Sequence, residues 1–152
     1  SDEILLTTRQ GQAIHFKESQ IRPMGRTAAG VIAIREKKND AVASMDVISK
    51  NQKNARLLVI MENGYGKQTL LSQYKVQGRG GSGIKTAKIT VKTGPIAGAQ
   101  VINEEEDLFV LSQKGQVIRT DIKSVRLTSR ATQGVKIMTL GSGDKIGGFI
   151  CL

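Results

Sequence analysis

The chain repeats itself three times, and that limits its fold more than any other feature. Gly11, Gly64 and Gly115 sit in turn-like contexts (RQGQ, ENGYG and QKGQ). Each is followed 15 residues later by an arginine (Arg26, Arg79, Arg130), and each arginine four residues later by a glycine (Gly30, Gly83, Gly134). All three markers move by 53 residues from the first copy to the second and by 51 from the second to the third. A period near 50 residues calls for similar units that bury their faces against one another. The repeat units run approximately 1–52, 53–103 and 104–152.

Within each unit the apolar pattern falls into four short runs rich in Val, Ile and Thr, none of which sustains a helical period. The first runs (Ile4 to Thr8, Leu57 to Met61, Leu108 to Ser112) enter the glycine turn. The second (Ala13 to Phe16, Lys67 to Leu71, Val117 to Thr120) leave it. Asn63-Gly64 is a strong hairpin signal, because both residues tolerate the positive φ of tight turns. Third runs (Val31 to Ile34, Ile84 to Ile89, Val135 to Leu140) follow the Arg-x-x-x-Gly element, and fourth runs (Ala41 to Ile48, Ile96 to Ile102, Lys145 to Cys151) close each unit. The expected fold is all-β: four-stranded antiparallel blades of a propeller, three of them, or half a ring. Three blades leave two raw ends, which suits either a piece of a longer chain or two half rings that associate. The start at Ser1, without an initiator Met, fits the first arrangement.

The formal charge is +10, from 23 Lys and Arg against 13 Asp and Glu. Such a bias favours a polyanionic partner. It is concentrated in the middle unit, where eight basic residues meet only Glu62. Lys67, Lys75, Arg79 and Lys85 flank turns or alternate with apolar positions there, as expected of an outer rim; the competing reading is an ordinary solvated basic face. With only Phe16, Tyr65, Tyr74, Phe109 and Phe149 as aromatics, base stacking on single strands is poorly served. Duplex backbone, which needs only cations, hydroxyls and amides, is the better target.

The segment Gln77-Gly78-Arg79-Gly80-Gly81-Ser82-Gly83 contains Gly-x-Gly-x-x-Gly, but IKTAKITV after it reads as a strand, whereas a dinucleotide site needs a helix there. Two readings remain: glycines supplying unusual dihedrals between blades, and bare backbone that lets a phosphate approach Arg79. No reaction centre is expected. His15 lies in an alternating strand and suits packing, Glu104 to Asp107 read as a solvated linker, and Cys151 as a small buried residue. One cysteine and one histidine make neither a disulfide nor a zinc set, so no cofactor is expected and a reducing, cytoplasmic setting is. No apolar run reaches membrane-spanning length.

The segments ILLTTRQGQAIHFKESQIRPMGRTAAGVIAI, NGYGKQTLLSQYKVQGRGGSGI and LFVLSQKGQVIRTDIKSVRLTSRATQGVKIMTL resemble the C-terminal domain of DNA gyrase A, over essentially the whole chain. The resemblance implies a β-pinwheel, a propeller relative in which strands of one blade invade its neighbour, with six blades in the family, of which these look like the last three. It implies a non-catalytic module that binds and wraps double-stranded DNA and supports negative supercoiling by the holoenzyme, with the rest of gyrase A and with gyrase B as partners. The nucleoid would be its setting. Topoisomerase IV has a similar domain, and a protein-interaction propeller is the alternative from another class. Expected DNA contacts are Lys17 and Arg22 in the first blade, Lys67, Lys75, Arg79 and Lys85 in the second, and Arg119, Lys123 and Arg130 in the third. Arg26 and Arg130 carry the rival role of anchoring blade junctions. Gln77, Arg79, Gly80, Gly81 and Gly83 match the form of the gyrase box, which the family carries in its first blade.

Overall fold

The computed structural model describes residues 2–50, 52 and 54–152; Ser1, Asn51 and Lys53, and with them part of the boundary between the first two repeats, lie outside it. The first repeat supplies β1 (Glu3–Thr8), β2 (Gln12–Lys17) and β3 (Val42–Ile48). The second supplies β4 (Arg56–Met61), β5 (Tyr65–Leu70), the two-residue strands β6 (Val76–Gln77) and β7 (Ile84–Lys85), and β8 (Ile96–Ile102). The third supplies β9 (Asp107–Ser112), β10 (Val117–Asp121), β11 (Val135–Lys136) and β12 (Ile146–Cys151).

Each repeat builds one sheet in which its first strand lies in the middle, antiparallel to both the second and the last. The glycine turns join the first two strands, with Gly11, Gly64 and Gly115 at φ of 93°, 92° and 93°. Alternation then decides which faces meet. Leu5 and Ala13 of blade 1 pack against Leu57, Val59 and Met61 of blade 2. Leu58 and Ile60, on the other face of blade 2, pack against Leu108 and Val110 of blade 3. Successive residues of one strand thus serve successive junctions, as the period-2 geometry of a strand requires.

Four runs per repeat suggest that each repeat completes its own blade, but the third runs of the second and third repeats pair with the preceding blade, the strand invasion that the pinwheel resemblance implies. In the second repeat, β6 lies parallel to His15 and Phe16 of β2, and β7 returns antiparallel beside Ala13 and Gln12. In the third, β11 pairs with Gly66 and Tyr65 of β5, preceded by a parallel bridge between Gln68 and Leu127. In the first repeat, Val31 to Ile34 form no strand. Hydrophobic pattern reports that a segment is extended; it does not report which edge receives it. We call the stretches 19–35, 71–94 and 122–143, which take up most of the segments between second and last strands (18–41, 71–95 and 122–145), arms 1, 2 and 3.

Close approach explains the repeat-marking glycines. A Cβ on Gly83 would lie 2.3 Å from the Ala13 carbonyl oxygen, and one on Gly134 2.4 Å from that of Gly66. Reciprocally, a Cβ on Gly64 would lie 2.3 Å from the Met138 carbonyl oxygen. The repeat-marking arginines clamp the same joints: Arg79 donates from Nη1 to the Ile32 carbonyl at 2.9 Å, and Arg130 to the Lys85 carbonyl at 2.8 Å.

Lys67 requires a correction. Expected on the rim, it is fully buried, where the first and third repeats carry Ile14 and Ile118. Its ammonium donates to the carbonyls of Thr86 (2.6 Å), Ser129 (2.9 Å) and Arg130, which binds arm 3 to blade 2 and leaves nothing for a phosphate. Three carbonyls match its three N–H bonds. Burial, with the Arg130 charge nearby, nonetheless pushes its pKa down to about 7. Lys67→Met would strand those carbonyls, and we expect a loss of about 1–3 kcal/mol in urea unfolding. The unfolded chain keeps this proton up to about pH 10.5, whereas the folded chain releases it from about 7. Stability should therefore rise from pH 7 to 10, and that rise should be missing in Lys67→Met.

Candidate nucleic-acid interface

Arms 2 and 3 cover the free edges of β2 and β5, and the three arms touch one another in series. Between arms 1 and 2, the Arg35 amide donates to the Gly81 carbonyl at 2.9 Å and the Gly80 amide to that of Ala33 at 2.7 Å. Between arms 2 and 3, the Lys88 amide donates to the Thr132 carbonyl at 2.9 Å, the repeat-equivalent of the first of these bonds. With the two arginine clamps, these contacts make one continuous band along the outer edges of β2 and β5.

Charge segregates onto this band. Twelve of the chain's 23 Lys and Arg lie in the three arms and none of its 13 Asp and Glu does; the full connecting segments hold 15 basic residues against four acidic ones, Glu18, Glu36, Asp40 and Asp144, which border the arms. The concentration in the middle repeat, read blade by blade, concealed a partition by element in which every arm is cationic. Among the described residues the contacts between basic and acidic side chains are Arg9 with Glu62, His15 with Glu3, and Arg119 with Asp107 and Asp121. No arm cation takes part. A row of like charges held without counter-charges is an electrostatic footprint for a polyanion.

Of the expected contacts, Arg22, Lys75 and Lys85 are exposed on arms 1 and 2, and Lys123 is exposed in the 3-10 turn at the root of arm 3. Lys17 is exposed at the end of β2, next to Phe16, which faces Gln77 of arm 2. Arg79 and Arg130 are half-buried by their clamps. The structure does not bring Lys67 to the surface, and it sets Arg119 apart: this residue projects from β10 and its guanidinium bonds to Asp107, so its charge is neutralised locally. Two cations at repeat-equivalent places were missed by reading each repeat for its own local context. Arg126 shares the register of Arg22 and Lys75, and Lys136 that of Lys85; both are exposed on arm 3.

The glycine-rich motif is occupied in the joint with blade 1. The Arg79 amide donates to Gln20 Oε1 (2.8 Å), Arg79 Nε to the Gln20 carbonyl (3.1 Å), and Gln20 Nε2 to the Gln77 carbonyl (3.4 Å). Gly80 and Gly83 stand at φ of 84° and 78°, and Gly81 and Ser82 are exposed at the tip of the loop. Strand β7 follows, not a helix. The dihedral role of these glycines is filled, and of the Arg79 side chain Nη2 is left for an outside acceptor.

The remaining singled-out residues are structural. His15 is buried, with Nδ1 2.9 Å from the Tyr74 carbonyl and Nε2 2.6 Å from Glu3 Oε2, tying β1 and β2 to the root of arm 2. Cys151 is buried, and burial together with the Glu105 charge pushes its thiol up to about 11, so it stays protonated. In the acidic run, Glu105 turns back to accept a hydrogen bond from the Asn103 amide. Among the described residues, no helix is long and apolar enough to cross a membrane.

Comparison with known proteins agrees with this architecture repeat by repeat. The family model described as DNA gyrase C-terminal domain, beta-propeller, matches residues 2–49, 56–103 and 106–151. DNA gyrase A of Staphylococcus epidermidis is 43% identical over 144 residues, covering 95% of this chain and 16% of that protein. DNA gyrase A of Deinococcus deserti is 40% identical over 147 residues, covering 95% of the chain and 18% of the relative. The chain thus spans less than a fifth of the length of these relatives. Among solved structures, a DNA gyrase A C-terminal domain superposes with a TM-score of 0.89 at 22% identity, over 99% of this chain and 50% of that one. The C-terminal domain of DNA topoisomerase IV gives 0.89 at 20% identity, over 99% and 46%. Three matched repeats, each coinciding with one sheet, identify the chain as a member of the DNA gyrase C-terminal domain family, with its β-pinwheel fold.

Proposed function

We propose that this chain is a non-catalytic duplex-DNA-binding and DNA-wrapping module of a type IIA topoisomerase, DNA gyrase A rather than its topoisomerase IV paralogue. The cationic band formed by the three arms, whose Lys and Arg pair with no carboxylate among the described residues, carries this reading. The ranking of gyrase over its paralogue rests on the gyrase A relatives with 43% and 40% identity. The chain would be the last three of six blades, acting with the rest of gyrase A and with gyrase B in the cytoplasm, at the nucleoid, without a cofactor of its own.

Bending is the physical task. Curving 20–30 base pairs by 40–90° costs on the order of 1–6 kcal/mol. Cations on a convex edge offset that cost by releasing counterions along the inward-facing phosphates, without reading sequence. Arg22, Lys75, Arg126, Lys85 and Lys136 supply the charge, with Lys17 and Lys123 at the roots of the arms. Arg79 and Arg130 keep the band in shape and leave part of each guanidinium outward. A duplex wrapped with one hand would present a crossing segment of the same DNA to the gate of the holoenzyme, biasing it toward negative supercoiling.

If about six phosphates are neutralised, log K against log salt should fall with a slope near minus 5 in gel shifts on linear duplex, with little dependence on sequence. Lys75, Lys85 and Lys136 changed together to Ala should make that slope shallower by about three, at unchanged melting temperature. Arg119→Ala should leave it within error. Salt-insensitive binding, or a triple variant that binds like the parent, sinks the assignment.

A further inference from the structure

The joint between blades 2 and 3 holds a pocket that the cationic band does not explain, and we propose that it binds a single phosphate group. The pocket lies where the glycine turn of blade 2 meets the ends of arms 2 and 3, and its volume is about 310 Å³. Three lysines line it: Lys92 from the turn that ends arm 2, Lys136 from β11, and Lys145 from the residue before β12. Among the described residues none of the three meets a carboxylate. Asp144 also lines the pocket, but it is buried and turned to the backbone, its Oδ1 accepting from the amides of Lys114 (3.0 Å) and Lys145 (2.9 Å). Three ammoniums against one carboxylate leave a charge of +2, the opposite of a phosphate dianion.

The cations are positioned by their neighbours. Asn63 Nδ2 donates to the carbonyls of Val91 (3.1 Å) and Lys92 (3.2 Å), which fastens the turn of arm 2, while Asn63 Oδ1 accepts from the Lys145 ammonium. That bond takes one of the three N–H donors of Lys145 and leaves two. The Lys92 ammonium stands 5.6 Å from the centroid of the Tyr65 ring, whose face holds a cation without neutralising it. Lys136 is the register partner of Tyr65 across the β5–β11 pair, so the third charge arrives at the same ring. The joint between blades 1 and 2 shows that the fold does not need this cluster. Carried back by the repeat offset, the three lysines become Asn39, Lys85 and Gly94, and Asn63 and Tyr65 become Gln10 and Gln12. One cation suffices there. Like charges brought together without a counter-charge weaken a fold by self-repulsion. A compact oxyanion with several acceptor atoms relieves that repulsion and suits ammonium donors approaching from separate elements.

Two sources carry this chemistry: a phosphodiester of a duplex, since Lys136 belongs to both the pocket and the band, and free phosphate. Inorganic phosphate tests the pocket without DNA. It should raise the melting temperature of the chain by more than sodium chloride of equal ionic strength does, and should move the Asn63 side-chain amide resonance. Lys92→Met with Lys145→Met should melt no lower than the parent in chloride and should lose the phosphate-specific rise. Lys92→Arg with Lys145→Arg should keep it, as should Lys37→Met with Lys38→Met, which lie outside the pocket. Gel shifts on linear duplex then tell the sources apart. A duplex phosphate in the pocket makes the salt slope of the double Met variant shallower by about one, and a free phosphate leaves that slope unchanged. The idea fails if phosphate protects no better than chloride, if the double Met variant keeps the protection, or if the resonances that phosphate moves centre away from Asn63 and Lys145. A chain that takes phosphate but no duplex would overturn the proposed function and leave this pocket standing.

Discussion

Everything in this fold depends on the second and third repeats giving their arms to the blade before them. A three-stranded sheet whose outer edge is bare would leave a row of amides and carbonyls to water or to another chain. The donated arm covers that edge, and the cover comes from the next repeat, so neither blade is complete alone. Two small residues make it feasible: the host glycine lets the arm's carbonyl come close, and the guest glycine lets the arm lie against the host's own carbonyl. At 2.3–2.6 Å from a would-be Cβ, no other residue type fits either place without moving backbone.

The arginine that precedes the guest glycine then ties arm to arm, and this second tie gives the outer surface its character. A guanidinium that gives only part of its donors to a carbonyl keeps its charge. Arms laid end to end thus carry their cations into one band, and the carboxylates are left on strands, on turns and at the borders of the connecting segments. Lys67 varies the scheme. At that joint no amide reaches the Thr86 carbonyl, and a lysine from the host strand supplies the donor.

Much of this was legible in the sequence because periodicity survives divergence. Gly11, Gly64 and Gly115 marked the hairpins, and the 53- and 51-residue shifts marked three repeats. Partner identity was not legible. Val135-Lys136 reads as a strand wherever it pairs, and nothing local says that its mate lies some 70 residues back on β5. Lys67 was misplaced for a related reason: a lysine between Gly66 and Gln68 looks exposed unless one knows that three carbonyls of other segments converge there. Arg119 looked free because its partner Asp107 sits on the neighbouring strand, at the diagonal reached only once the β9–β10 register is known. Arg126 and Lys136, in contrast, could have been found by carrying the repeat offset through every cation instead of the marker arginines alone.

The clamp of Arg79 on the Ile32 carbonyl bears on mechanics as well as on shape. A bent duplex resting on the arms would pull outward as it tries to straighten, and the arms are the parts that fasten one blade to the next. Its recoil is then borne by the seams instead of by the sheets, so the stiffness of the whole bracket is set by a handful of guanidinium and amide bonds at each seam. Loosening one seam would flatten the curve offered to a duplex while leaving the three sheets folded.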